Sequence, residues 1–219
     1  MTAAAPRSAS RLWDLLAAAP LIVWYLIGAR GLVPKIIDDT HTPHGLLQLT
    51  SHVAALAVMA FTIVLFLVRR LPVAKLEDPV AKIIAILAAN LNLALLALPP
   101  AQLPPALALT STVLSTGGLI GSIVVLAWLG RSFAILPQAR ALVTSGPYRI
   151  VRHPLYATEL VSSIGIAMIF AQPWSVLITI AAFALQLRRM AYEERILTAT
   201  FPDYAAYSAR TARLIPGIY

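Results

Sequence analysis

The chain has no cysteine among its 219 residues. This absence excludes disulfide bonds, thiolate metal sites and cysteine nucleophiles. Charged residues are also scarce, at 12%, and only nine of them are acidic. No Gly-rich phosphate-binding loop is present, and no helical motif that pairs carboxylates with histidines. We therefore predict no metal site and no nucleotide site of the phosphate-loop type.

Apolar residues dominate what is present. They make up 59% of the chain, and the mean hydropathy is +0.81. Several apolar runs are long enough to cross a bilayer core of about 30 Å as helices, and the alternation of membrane β-strands is absent. We predict an all-α, polytopic integral membrane bundle with spans near residues 13–29, 46–68, 79–98 and 107–129, followed by shorter segments at 155–171 and 174–187.

The last two of these six helical segments form a hairpin, because only Gln172 and Pro173 separate them. Apolar positions continue at near-helical spacing after the hairpin, which predicts a C-terminal helical tail outside the membrane. We divide the chain into four N-terminal transmembrane helices, 1–130, and a catalytic C-terminal region, 131–219.

The basic residues predict the orientation. Of the 17 lysines and arginines, only Arg30 and Lys35 fall on one side of the predicted spans. By the positive-inside rule, both termini and the loop before the hairpin are cytoplasmic. The compact length and short loops favour a bacterial inner membrane. No basic stripe with interleaved aromatic residues stands clear of the membrane, so we predict no nucleic-acid partner.

The passage from Ser145 to Tyr156 is polar, basic and aromatic, although apolar runs flank it. Arginines beside a span are often topology signals or lipid anchors. The histidine-proline pair at His153 and Pro154, and Glu159 inside the next apolar segment, favour a built site at the membrane face instead.

A second polar cluster comes after the hairpin. Arg189 and Glu193 are four residues apart and share a helix face, as do Tyr204 and Tyr207, three apart. A solvated surface pair and an interfacial tyrosine belt are the plain alternatives. Because a hairpin enters and leaves the membrane on one side, however, both clusters lie at the same face. Together they place carboxylates, cations and aromatic rings next to the lipid. This set of side chains suits a charged cofactor and a lipophilic substrate.

These two clusters resemble the motifs of a known family. The run Gly146-Pro147-Tyr148, then Arg152-His153-Pro154 and Tyr156, resembles the signature of the isoprenylcysteine carboxyl methyltransferases and the related phospholipid methyltransferases. The stretch from Arg189 to Leu197, and then Phe201, Tyr204, Tyr207 and Ile215-Pro216, resembles the second motif of that family, on the C-terminal side of its hairpin. The resemblance covers roughly the C-terminal half of the chain.

The resemblance implies an integral membrane methyltransferase that binds S-adenosylmethionine and methylates a lipophilic acceptor from the membrane. The acceptor group is either a carboxylate of an isoprenoid-type substrate or a lipid amine. Arg189 is the candidate for orienting an acceptor carboxylate or phosphate, and Arg152 is a structural alternative. Glu159 or one of the paired glutamates is a candidate base for an amine. The implied cofactor residues are Tyr148, His153, Pro154, Tyr156, Glu193, Glu194, Tyr204 and Tyr207.

Two other functions stay open. The position of Glu159 is also similar to the pattern of membrane sterol reductases, which use NADPH, although the Glu193-Glu194 pair favours methylation. A transport or scaffold protein without enzymatic activity is the third hypothesis, with Asn90, Asn92 and Gln186 as its polar residues within spans. The spacing of Gly117 and Gly121 predicts close helix packing, within the bundle or across a dimer. We expect a monomer or a weak homodimer.

Overall fold

A computed structural model describes residues 11–41, 45–170 and 172–217 of the chain. Residue 171, at the end of the fifth predicted span, lies outside the described residues. So do residues 1–10, which begin the predicted region 1–130, and residues 218–219, which end the predicted region 131–219. Six apolar helices and one short amphipathic helix make up most of the fold. They are α1 (Arg11–His41), α2 (Gly45–Val68), α3 (Pro79–Asn90), α4 (Pro105–Leu129), α5 (Pro154–Phe170), α6 (Pro173–Thr200) and α7 (Tyr204–Arg210).

The prediction of an all-α membrane bundle is confirmed. Four helices among the described residues, α1, α2, α4 and α6, are long and apolar enough to cross a bilayer. Two shorter apolar helices accompany them: α5, and α3 with its 3-10 extension Leu91–Ala97. Large apolar side chains on the outside of the bundle, including Trp24, Ile27, Val113 and Ile180, are 45–62% exposed. Such a surface is stable against lipid, and the protein is an integral membrane protein.

The first predicted span is too short. Helix α1 does not end near residue 29 but continues to His41, so Arg30 and Lys35 lie within the helix and not in a loop. Both residues are good helix formers, and the apolar positions Val33 and Ile37 continue beyond them. A charge therefore ends the apolar run of the sequence without ending the helix.

The hairpin and its continuation are confirmed. Helix α5 is followed at Pro173 by α6, which runs well past the predicted end at 187 and carries Arg189, Glu193 and Glu194 out of the apolar region. Pro202 lies just beyond the end of α6, as expected for a residue that cannot continue a helix, and α7 then begins at Tyr204. The division of the chain at residue 130 stays a prediction.

Helices α4 and α5 approach each other closely through small residues. An added Cβ at Gly118 would lie 2.4 Å from the Ser162 backbone nitrogen, and one at Gly165 would lie 2.4 Å from the nitrogen of Ser115. The Ser111 hydroxyl also donates to the Gly165 carbonyl over 2.7 Å. Small side chains and interhelical hydrogen bonds are what hold helices together in lipid, where the hydrophobic effect does not.

A buried ion cluster joins three distant parts of the chain. Asp14, at the start of α1, accepts from Arg69 Nε over 2.8 Å and from Arg140 Nη2 over 2.9 Å. Arg69 comes directly after the end of α2, and Arg140 comes directly after a two-residue strand, β2 (Gln138–Ala139). This strand pairs antiparallel with β1 (Ala74–Lys75), a small sheet that the sequence analysis does not predict.

Alanine substitutions at two adjacent glycines of α4 test the packing. Gly118→Ala forces a Cβ against backbone of α5 and should lower the free energy of unfolding by about 1–3 kcal/mol, the usual cost of overpacking. Gly117→Ala is the matched control, because nothing lies within 4 Å of its added Cβ and alanine favours the helix. Thermal unfolding in detergent measures both. Equal melting temperatures for the two variants would contradict the close α4–α5 contact.

Candidate active site

One cavity lies where the loop before α5, the outer part of α6, and α7 meet. Its space amounts to about 830 Å³, including the part open to solvent. Eight of the eleven residues that the sequence predicts for the site line it: Tyr148, Arg152, His153, Tyr156, Arg189, Glu193, Tyr204 and Tyr207. The hairpin thus brings together two clusters about forty residues apart in sequence.

Tyr156 is the centre of a network at the inner end of this cavity. Its hydroxyl donates to Glu193 Oε1 over 2.5 Å, and Arg189 Nε donates to the same oxygen over 3.1 Å. The guanidinium of Arg189 lies 5.0 Å from the centroid of the Tyr156 ring, and the ring of His153 stacks on that ring at 5.4 Å. The four side chains are fixed relative to one another by these contacts, so the inner wall of the cavity is preorganised.

Glu194 does not line the cavity, although it is adjacent to Glu193. Successive helical residues point about 100° apart, so only one of the pair faces inward. The Glu194 carboxylate accepts from Arg152 Nε over 2.9 Å, from His153 Nε2 over 3.1 Å and from Arg213 Nη2 over 2.6 Å. It therefore ties α6 to the histidine-proline loop and to the C-terminal tail.

The tail is also held by its backbone. The amide nitrogens of Arg152 and His153 donate to the carbonyls of Ala212 and Arg213, over 2.8 and 3.0 Å. A guanidinium nitrogen of Arg152 donates to the Thr211 carbonyl over 2.6 Å. These bonds hold the segment after α7 against the loop before α5.

Tyrosines form the opposite wall. The Tyr207 hydroxyl donates to the Tyr148 carbonyl over 2.6 Å, and the rings of Tyr204 and Tyr207 meet edge to face at 5.9 Å. Burial raises the pKa of Tyr207 to about 12, and it raises the pKa values of Tyr148 and Tyr204 as well. All three phenols are neutral at physiological pH. The Tyr204 hydroxyl is buried without a hydrogen-bond partner in the described part of the chain, so it is available to a ligand.

Arg140 is a cavity residue that sequence reasoning missed. Its basic character was used only to predict topology, and its position depends on the pairing of β1 with β2, which leaves no sequence pattern. The guanidinium bonds Asp14, the side chain of Gln138 and the Arg70 carbonyl. Its Nε is buried and finds no partner among the residues described. With Arg69 also bonded to Asp14, two cations share one carboxylate, and this corner of the cavity carries excess positive charge.

The remaining two predicted residues lie outside this cavity. Pro154 is buried at the first turn of α5. A residue there has no partner within the helix for a backbone N–H, so the lack of one in proline costs no hydrogen bond. Glu159 lies one and a half turns deeper in α5 and lines a second cavity, where its carboxylate accepts from Gln186 Nε2 over 2.7 Å.

Comparison with known proteins confirms the resemblance predicted from the motifs. Residues 105–203 match the family model described as phospholipid methyltransferase. The matched region contains α4, α5 and α6, and it includes most of the residues that line the first cavity. The C-terminal half of the chain is thus similar in sequence to phospholipid methyltransferases.

Curated relatives match a similar share of the chain. The cobalt-zinc-cadmium resistance protein CzcN of Cupriavidus metallidurans is 35% identical over 111 residues, which are 48% of this chain and 50% of the relative. The nickel-cobalt-cadmium resistance protein NccN of Alcaligenes xylosoxydans xylosoxydans is 32% identical over a similar share. Protein-S-isoprenylcysteine O-methyltransferase B of Arabidopsis thaliana is 33% identical over 94 residues, 40% of this chain and 48% of the relative. The chain spans about half the length of these relatives.

Removal of the Glu194 carboxylate tests its role in closing the site. Glu194→Ala leaves Arg152, His153 and Arg213 without their shared acceptor, and the tail should open. We expect amide hydrogen exchange at residues 211–214 to accelerate at least tenfold, while exchange in α4 is unchanged. Glu77→Ala, which removes an exposed pair with Lys82, is the control and should leave the tail protected. Unchanged exchange at the tail in Glu194→Ala would show that the backbone bonds alone hold it.

Proposed function

We propose that this protein is a membrane methyltransferase that uses S-adenosylmethionine and methylates a lipophilic acceptor drawn from the bilayer. One observation carries the proposal: the two motifs shared with the methyltransferase family line a single cavity beside lipid-facing helices. A cavity with charged and aromatic side chains, next to the apolar outer surface of the helices, suits a polar cofactor that meets an apolar substrate.

The residues of the first cavity fit this cofactor. Its adenine needs a stacking surface, its amino and ribose groups need acceptors, and its carboxylate needs cationic donors. The cavity supplies the rings of Tyr148, Tyr204 and Tyr207, the carboxylate of Glu193 and the guanidinium of Arg140. Two buried groups without partners in the described residues, Tyr204 Oη and Arg140 Nε, are donors that a ligand would satisfy. When bound, the cofactor supplies a methyl group on a positively charged sulfur.

The protein's own contribution is to bind, orient and exclude water. Tyr156 contacts both His153 and Glu193, so the wall that these side chains form is preorganised for a ligand. Alignment of two reactants in such a site contributes on the order of 7–11 kcal/mol to catalysis. We assign Arg189 to positioning the acceptor indirectly, since it lies in the inner wall and donates to Glu193 and Gln186. Arg152 is engaged by Glu194 and by tail carbonyls, which supports a structural role for it.

The topology supports a cytoplasmic site. Arg140, Arg152 and Arg189 line one cavity, so basic residues counted for the positive-inside rule gather at one end of the bundle. We infer that this end faces the cytoplasm of a bacterial inner membrane, where the cofactor is available, and that the acceptor enters from the adjoining leaflet.

The class of cofactor is tested by calorimetric titration of the purified protein with S-adenosylhomocysteine and, separately, with NADPH. We expect binding of the first alone, because the tyrosines and Glu193 suit an adenosine with an amino-acid tail. Binding of NADPH alone would replace the methyltransferase proposal with a reductase. The absence of binding by either ligand, in lipid nanodiscs as well as in detergent, would favour a protein without enzymatic activity.

The role of Arg140 is tested with two ligands that differ in the amino-acid tail. Arg140→Ala should weaken the binding of S-adenosylhomocysteine by roughly 10- to 150-fold, because a hydrogen bond to a charged group contributes about 1.5–3 kcal/mol. The same variant should bind methylthioadenosine, which lacks the carboxylate, as tightly as the native protein does. Arg131→Ala is the control, since this exposed neighbour donates its side-chain hydrogen bond to the Val68 carbonyl and does not line the cavity. An equal loss for both ligands would make Arg140 a structural residue.

A further inference from the structure

A second cavity lies deeper, among apolar helices. Its space amounts to about 550 Å³, including the part open to solvent, and lies between α3 with its 3-10 extension, α5 and α6. Apolar side chains such as Leu160 and Phe183 form part of its lining, but half of the lining is polar. The polar residues are Asn92, Glu159, Ser162, Ser163, Thr179 and Gln186. Polar groups at such a position are costly unless they are paired or serve a ligand.

The hydroxyl groups of this cavity are already engaged as donors. Ser162 and Ser163 both donate to the Glu159 carbonyl, over 2.9 and 2.7 Å, and Thr179 donates to the Ser175 carbonyl over 2.8 Å. Each such bond leaves only lone pairs on the hydroxyl oxygen. The three hydroxyls can therefore serve a ligand only as hydrogen-bond acceptors.

The two amides and the carboxylate leave further acceptors. Asn92 donates to Ser163 over 2.7 Å, but its Oδ1 is buried and without a partner in the described part of the chain. Gln186 donates to Glu159 Oε2, and the other oxygen of Glu159 receives no hydrogen bond from the described residues. None of the lining residues is basic. The cavity is thus rich in acceptors, and Glu159 supplies the one carboxylate among its lining residues.

This second cavity adjoins the first. Tyr156 lines both, and Arg189, which lines the first, donates to Gln186, which lines the second, over 3.4 Å. A group bound among Asn92, Glu159 and Gln186 would lie on the membrane side of the wall that bounds the proposed cofactor site. Because the surrounding helices are apolar, such a group would be carried there by a lipophilic molecule.

We propose that the second cavity binds the polar head of the acceptor, and that this head is a hydrogen-bond donor, an amine or a hydroxyl, and not a carboxylate. The inference rests on the proposed methyltransferase function. An N–H or O–H group would satisfy Asn92 Oδ1 and Glu159. A carboxylate would instead bring a second negative charge next to Glu159, and Arg189, the nearby cation beyond the lining, already pairs with Glu193.

Glu159 then has a chemical task. The proton of the acceptor's N–H or O–H group passes to the Glu159 carboxylate. The nitrogen or oxygen would form its bond to the methyl group that the bound cofactor supplies, and the electron pair of the broken methyl–sulfur bond would stay on sulfur. The positive charge on sulfur and the negative charge of Glu159 would be lost together, so atoms and charge balance. An acceptor carboxylate would need no such base, because it is already ionised at neutral pH.

Three probes with the same sixteen-carbon chain separate these head groups: hexadecylamine, hexadecanol and hexadecanoate. Their binding to the full-length protein in lipid nanodiscs is measured calorimetrically, with S-adenosylhomocysteine present and absent, and methyl transfer is measured from a labelled donor. We expect the amine or the alcohol to bind at least tenfold more tightly than the acid. Tighter binding of hexadecanoate would overturn the proposal.

Two variants locate the binding. Glu159→Gln keeps the size of the side chain but removes its charge, and Asn92→Leu removes the unpartnered oxygen. Each variant should bind the preferred probe at least tenfold more weakly than the native protein does. Asn90→Leu is the matched control, because Asn90 lies two positions away, donates to the Ile86 carbonyl of its own helix and does not line the cavity. Unchanged probe binding in both Glu159→Gln and Asn92→Leu would exclude this cavity as the site.

S-adenosylhomocysteine binding distinguishes the two proposals. If all variants bind it as the native protein does, any loss of probe binding belongs to the second cavity. If the native protein does not bind it, the methyltransferase proposal fails, whereas the preference among the three probes still decides whether the cavity takes a hydrogen-bond donor.

Discussion

The candidate site depends on one carboxylate, that of Glu194, which accepts hydrogen bonds from Arg152, His153 and Arg213. Three cationic or polar side chains from two separate segments of the C-terminal half meet on this group. Bonds to an ionised partner are each roughly twice as strong as neutral ones. Because the bonds converge on α6, the loop before α5 and the tail after α7 have one arrangement relative to Glu193, and the cavity between them has a defined shape.

The surrounding bilayer imposes the second constraint: every polar group within the helices must find a partner inside the protein. The α4–α5 contact meets it with serine hydroxyls bonded to carbonyls, and the ends of α1 and α2 meet it with Asp14 bonded to Arg69 and Arg140. Asn92 Oδ1 does not meet this constraint: this oxygen, in the cavity that Glu159 also lines, is buried and without a partner among the described residues. The hydrogen bonds of Ser111 and Asp14 join separate parts of the chain, whereas the Asn92 oxygen lines a cavity.

Sequence reasoning predicted the grouping of His153, Arg189 and Glu193 because a hairpin must return to the face where it entered. It could not predict which of Glu193 and Glu194 lines the cavity, because the rotation of α6 relative to the cavity depends on packing and not on local sequence pattern. Arg140 was missed for a different reason: strands of two residues carry no periodic signal. Likewise, the spacing of Gly117 and Gly121 pointed to close packing. Gly121 does pack on α5, but Gly118 makes the closer approach and Gly117 faces open space.

The proposed function requires the histidine-proline loop and the tail to enclose the cofactor together. Hydrogen exchange of the native protein with and without S-adenosylhomocysteine tests this arrangement, because exchange reports both segments in one experiment. We expect the ligand to slow exchange at 146–153 and at 204–214 together, with little change in α1 and α2. Protection confined to other parts of the chain, or to neither segment, would contradict it.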